Sequence, residues 1–130
     1  VGLGTDGAGS NDSLDLLADL KTFALVQKHA AADPTAIDAA EAWAVATGAT
    51  APRLGAAKLQ AGAPADFLLL RADSPELGIG ELTADLVYAA SGAVVDTVVV
   101  AGRILMRGGE VPGLEEVVAR AAERAERLGL

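Results

Sequence analysis

Val1-Gly2-Leu3-Gly4-Thr5-Asp6-Gly7-Ala8-Gly9-Ser10-Asn11 opens the chain. The first five residues read as the end of a buried strand, and Gly7 to Asp12 as a polar, glycine-rich loop. Asp6 stands at the junction. That is the C-terminal end of the strand, where β/α proteins mount catalytic groups. A carboxylate there can hold a metal ion and accept a proton from a metal-bound water. The plainer alternative is a turn Asp that bonds its own backbone. Val-Gly-Leu-Gly reads as mid-strand rather than as a chain start, so a piece of a longer protein is expected.

The same stretch contains Gly2-Leu3-Gly4-Thr5-Asp6-Gly7, a match to G-x-G-x-x-G. A dinucleotide loop is the weaker reading. Asp6 would set a carboxylate against the pyrophosphate, and the loop runs on past Gly7 before any helix begins.

Downstream, Asp12 or Ser13 is placed to cap a helix in which Leu14, Leu17, Leu20, Ala24 and Leu25 recur at helical spacing to about Ala31. Asp33-Pro34-Thr35 breaks it. Asp38 and Glu41 form a start signal for a second helix to about Thr47, and a short third is expected over Ala49 to Leu54, stopped by Gly55. Phe67-Leu68-Leu69-Leu70 then reads as a buried strand, and Asp73 to Thr83 as loop. Val94 to Val100 and Ile104-Leu105-Met106 read as a hairpin about Ala101-Gly102, ended by Gly108-Gly109. A last helix carries an apolar stripe of Leu114, Val117, Val118, Ala121, Ala125 and Leu128. Its charges, including the Glu116/Arg120 and Glu123/Arg127 pairs, read as a solvated face.

Composition narrows the function. The 130 residues carry 18 acidic and 10 basic side chains, a net charge of −8, which excludes a basic nucleic-acid footprint. With no cysteine there is no disulfide scaffold, zinc finger or thiol catalyst, which fits a cytoplasmic setting. No apolar run is long enough to span a membrane. The single histidine, His29, sits at a helix end, where a surface imidazole is the expected role. Phe23, Trp43 and Tyr88 read as core. Hydrophobicity is 52%, but much of it is alanine, so the core is thin for a free-standing domain.

Leu3 to Asn11 resembles the last barrel strand and following loop of the amidohydrolase superfamily. The resemblance is to the branch holding S-adenosylhomocysteine/methylthioadenosine deaminases and chlorohydrolases. Further stretches resemble that branch in the same order: Ser13 to Leu17, Asp33 to Ala36, Glu41 to Thr47, Ala51 to Gly55, Gly62 to Asp66, Leu86 to Ala90 and Val98 to Arg103. Together they cover about residues 2 to 111.

The resemblance implies an α/β fold: the C-terminal part of a metal-dependent hydrolase (β/α)8 barrel with part of a small β-sandwich, incomplete as a stand-alone unit. Residues 1–55 would be the last barrel strand and helices, 56–111 the sandwich strands and 112–130 a terminal helix. Asp6 matches the family position that ligates a divalent metal, zinc in the first instance, and shuttles a proton. The family's His-x-His, later histidines and acid/base Glu would lie before Val1. One carboxylate cannot replace three protein ligands, so the chain alone is expected to bind metal weakly and catalyse nothing. Its expected partners are the N-terminal segment of the same protein, a ring substrate of purine, pterin or triazine type, and further copies of itself. Ser10 and Asn11 face either the substrate or the turn. The rival functions are a non-catalytic interaction module of the same descent and an amide- or lactam-hydrolysing enzyme.

Overall fold

The computed structural model describes residues 1–51, 59–78 and 80–130. Helix α1 spans Leu16–Ala31 and α2 spans Ala39–Ala46. Strand β1 spans Phe67–Leu70, α3 spans Leu82–Tyr88, β2 spans Val95–Val100, β3 spans Arg103–Met106 and α4 spans Leu114–Arg127. Of the helix expected over 49–54, residues 49–51 form a turn and coil; the rest of it, its Gly55 stop and the 55/56 boundary fall outside the described residues.

Helix α1 starts later than Asp12 or Ser13 would set it. Its cap is Asp15, whose carboxylate accepts from the Leu17 and Ala18 amides. The physical reason is Leu14, which counts towards the helical stripe but adopts φ +47° and lies outside the helix. For α2 the Asp38/Glu41 pair closes a full capping box, each side chain bonding the other's backbone amide. In the turn between them, Thr35 donates to Asp33 through both its hydroxyl and its amide (each 2.7 Å), which holds that carboxyl below its ordinary range.

Helices α1, α2 and α3 pack together around Leu20, Ala24, Ile37, Ala42 and Val87, with Phe23, Trp43 and Tyr88 at the margin. The three aromatic side chains, expected as core, are half-buried against its edge. Lys28 Nζ lies 4.9 Å from the Tyr88 ring centroid and adds a cation–π tie from α1 to α3. A second cluster of Leu86, Ala90 and Val94 shares Leu17 and Trp43 with the first and takes in Leu70 of β1. The segment expected to be loop thus ends in α3, and α3 joins the helices to the sheet.

The sheet is antiparallel in the order β1-β2-β3, with Phe67 opposite Val99 and Val98 opposite Met106. Ala101 and Gly102 both have positive φ, which matches the right-handed twist of the flanking strands. Asp66 accepts the Ala101 amide at 2.6 Å and pins the turn to the start of β1.

Residues 1–5 form no strand among the described residues. Leu3 packs against the helical cluster, and the Val1 carbonyl accepts from the Thr50 hydroxyl at 3.0 Å. A strand needs a neighbour for its backbone groups, and the described residues offer none there.

Helix α4 is the other exposed element. Its stripe forms as expected, yet Val117 and Val118 are 63% and 59% exposed, and only Ala125 is half-buried. Glu116 and Arg120 meet at 3.9 Å in solvent. Removing residues 112–130 is therefore expected to move the melting temperature of the remainder by less than about 3 °C, the scale of surface changes remote from a core. Calorimetry of the truncated chain checks this; a fall above about 8 °C would mean that α4 packs on the core.

Candidate functional site

Asp6 lies in the loop that leads from residues 1–5 to α1. It is exposed and has φ +60°, a left-handed conformation that few non-glycine residues keep. Its Oδ1 accepts from the Gly7 amide at 2.7 Å, and its Oδ2 accepts from the Ser10 hydroxyl at 3.0 Å. One bond goes to the amide of the next residue and the other to a side chain four residues on. They use two of the roughly four lone-pair directions of a carboxylate, so an outward lone pair remains on each oxygen.

Ser10 also meets the Gly7 carbonyl at 3.1 Å, and its amide donates to the same carbonyl at 2.9 Å. Asn11 faces inward. Its Nδ2 donates to the Thr5 carbonyl at 3.0 Å and to the two carboxylate oxygens of Asp19 at 3.1 and 2.9 Å. Asp15 does two jobs. Besides capping α1, it accepts the Gly92 amide at 2.8 Å through Oδ2, which fastens the loop end to the segment before β2. Sequence reading passed over Asp15 and Asp19. The available signal was an Asp one residue before the apolar Leu16-Leu17 pair, the usual place of a cap, with a second Asp in the first turn.

The glycine motif does not make a phosphate cradle. A Cβ built on Gly4, Gly7 or Gly9 meets nothing within 4 Å, so no close backbone approach requires glycine there. Helix α1 begins only at Leu16. His29 is exposed at the end of α1, far along the chain from Asp6, as its position predicted.

As a metal donor Asp6 fits one ligand position and no more. Among the described residues no three His, Cys, Asp or Glu side chains gather where they could hold an ion. A cavity of about 630 Å³ lies elsewhere, between the start of α1, α2 and the sheet, walled by Leu14, Leu17, Leu20, Trp43, Leu68 and Val95. It is a mostly apolar groove, with Ser13, Asp15 and Thr47 as the polar side chains at its wall.

Comparison with known proteins gives the context. A profile of the amidohydrolase family matches residues 1–105. The 5'-deoxyadenosine deaminase of Methanoregula boonei is 46% identical over 131 residues, covering 98% of this chain and 30% of the relative. The 5-methylthioadenosine/S-adenosylhomocysteine deaminase of Moorella thermoacetica is 43% identical over 134 residues, covering 98% and 31%. Among solved structures, an adenosine deaminase from Xanthomonas campestris with bound zinc superposes with TM-score 0.87 at 30% identity, over 97% of this chain and 30% of that one. A variant of atrazine chlorohydrolase from Arthrobacter aurescens, complexed with zinc and atraton, superposes with TM-score 0.79 at 31% identity, over 95% and 29%. The chain spans about 30% of the length of the curated relatives it matches.

Proposed function

The chain belongs to the amidohydrolase family, and we propose that it is the C-terminal part of a metal-dependent aminohydrolase that removes the ring amino group of an adenosine-type nucleoside. The observation that carries this reading is the 46% identity to a 5'-deoxyadenosine deaminase along almost the whole chain. Asp6, held outward by its own turn, supports it. Among ring substrates, the nucleoside is favoured over a chlorinated triazine because the curated relatives cited are nucleoside deaminases.

A bound zinc ion would supply an acidified water near neutral pH. Asp6 would give that ion one oxygen. Its carboxylate would also take a proton from the attacking water and pass it to the departing amino nitrogen. Ser10 and Gly7 orient the carboxylate through their hydrogen bonds. The remaining ligands and the substrate pocket belong to the length of the relatives that this chain does not span.

That length is also the proposed partner. Leu68 and Leu69 of β1 are 54% and 52% exposed, and the apolar groove and the stripe of α4 are likewise uncovered. Surfaces of this kind mark contact sites. Self-association of full subunits and a cytoplasmic setting complete the proposal; among the described residues no helix is long and apolar enough to cross a membrane.

Reconstitution tests this. The chain is co-expressed with the part of the Methanoregula boonei deaminase that it does not match, and the purified complex is loaded with zinc. Ammonia release from 5'-deoxyadenosine is expected, with none from the chain alone. A stable zinc-loaded complex that deaminates no adenosine nucleoside would refute the proposal. Activity on an amide or lactam in its place would favour that cousin.

A further inference from the structure

Asp6 is exposed, but the residues that shape its backbone are not. Asn11 and Asp19 are half-buried, and Asp19 sits in the first turn of α1, next to the fully buried Leu20. The two hydrogens of Asn11 Nδ2 are fully engaged. One goes to the Thr5 carbonyl, which is part of the peptide that precedes Asp6. The other forks over the Asp19 carboxylate. The Asn11 amide donates to the Gly7 carbonyl at 3.1 Å, just beyond Asp6. Its Oδ1 accepts from the amide and hydroxyl of Ser13, both at 3.3 Å.

One side chain and its amide therefore grip the backbone on both sides of Asp6. The φ of +60° there needs such support, since a non-glycine residue holds a left-handed conformation only where its surroundings impose it. We infer that Asn11, braced by Asp19, is a positioning residue for Asp6: it transmits the fixed position of α1 to the loop and so sets where the carboxylate points. The inference rests on the reading of Asp6 as metal ligand and proton carrier. A substrate contact through Asn11 Nδ2 is disfavoured by the same geometry, because neither of its hydrogens is free.

The test uses Asn11→Asp, which replaces the donor with an acceptor, Asp19→Leu, which removes the brace, and Asp19→Asn, which keeps an accepting oxygen. In the reconstituted zinc complex, the first two are expected to lower kcat about 10- to 100-fold with KM within about threefold, as misplacement of a reacting group does. Asp19→Asn is expected to stay within about threefold of the parent. On the 130-residue chain alone, Asn11→Asp is expected to speed amide exchange of Gly7 at least about tenfold, read by nuclear magnetic resonance, while α1 amides stay protected.

Unchanged kcat together with unchanged Gly7 exchange overturns the inference. A raised KM with unchanged kcat overturns it in favour of a substrate contact. An Asp6→Asn complex that keeps its activity sinks the role of Asp6 itself. Gly7 exchange in the free chain then still decides whether Asn11 sets that backbone. If Asn11→Asp fails to fold, the pair Asp19→Leu and Asp19→Asn decides by the same readings.

Discussion

Asp6→Asn in the reconstituted zinc enzyme is expected to lose about 10²- to 10⁴-fold in kcat, the range associated with a positioned acid or base. The expectation follows from what the substitution spares. Asn keeps an oxygen that accepts the Gly7 amide and a second head atom near Ser10, so the turn persists. What it removes is the negative charge and the capacity to carry a proton. Helix content and melting temperature of the free chain should stay at the parent values, because Asp6 is exposed and packs against nothing in the core. Steady-state ammonia release, the zinc content of the purified complex and a thermal melt measure the three parts. Loss of zinc together with activity would identify the ligand role as dominant. Loss of activity at full zinc content would identify proton transfer. Activity within about threefold of the parent would remove Asp6 from the chemistry.

The sequence made some of this legible because local physics was enough. The helical spacing of Leu17, Leu20 and Ala24 marks α1 and the face that it packs on the core. Asp38 with Glu41 caps α2 through atoms three residues apart, and Ala101-Gly102 turns the hairpin through its own φ angles. What stayed hidden depended on partners. Helix α3 is seven residues long, and its two buried residues, Leu86 and Val87, are adjacent, so no helical period shows. Residues 1–5 have the pattern of a strand, but a pattern does not supply the neighbouring strand. The candidate site divides in the same way. Asp6 stands out by its place after Thr5 and before a glycine loop, whereas the contact of Asn11 with Asp19 crosses a helix cap and leaves no periodic trace.

Leu20→Ala is expected to cost the free chain about 2–5 kcal/mol, the range for emptying a fully buried leucine site. Leu20 is fully buried between α2 and α3, and few large side chains share that status: Val87 and Val94 are the others among the described residues. Against a stability of about 5–15 kcal/mol for an ordinary domain, and less for a core this thin, the substitution should leave a large unfolded fraction. Urea titration followed by circular dichroism gives the shift. Leu25, on the same helix but 48% exposed, provides the control and should change stability by no more than about 0.5 kcal/mol when truncated. Leu68→Ala separates the free chain from the completed enzyme. At 54% exposure it should matter little alone, yet it lines the apolar groove and should weaken the reconstituted complex if the missing length packs there. Equal costs at Leu20 and Leu25 would mean that the three-helix core does not form in solution. Indifference of the complex to Leu68→Ala would move the contact to another uncovered apolar surface among the described residues, such as the stripe of α4 or the Leu69/Ile104 face of the sheet.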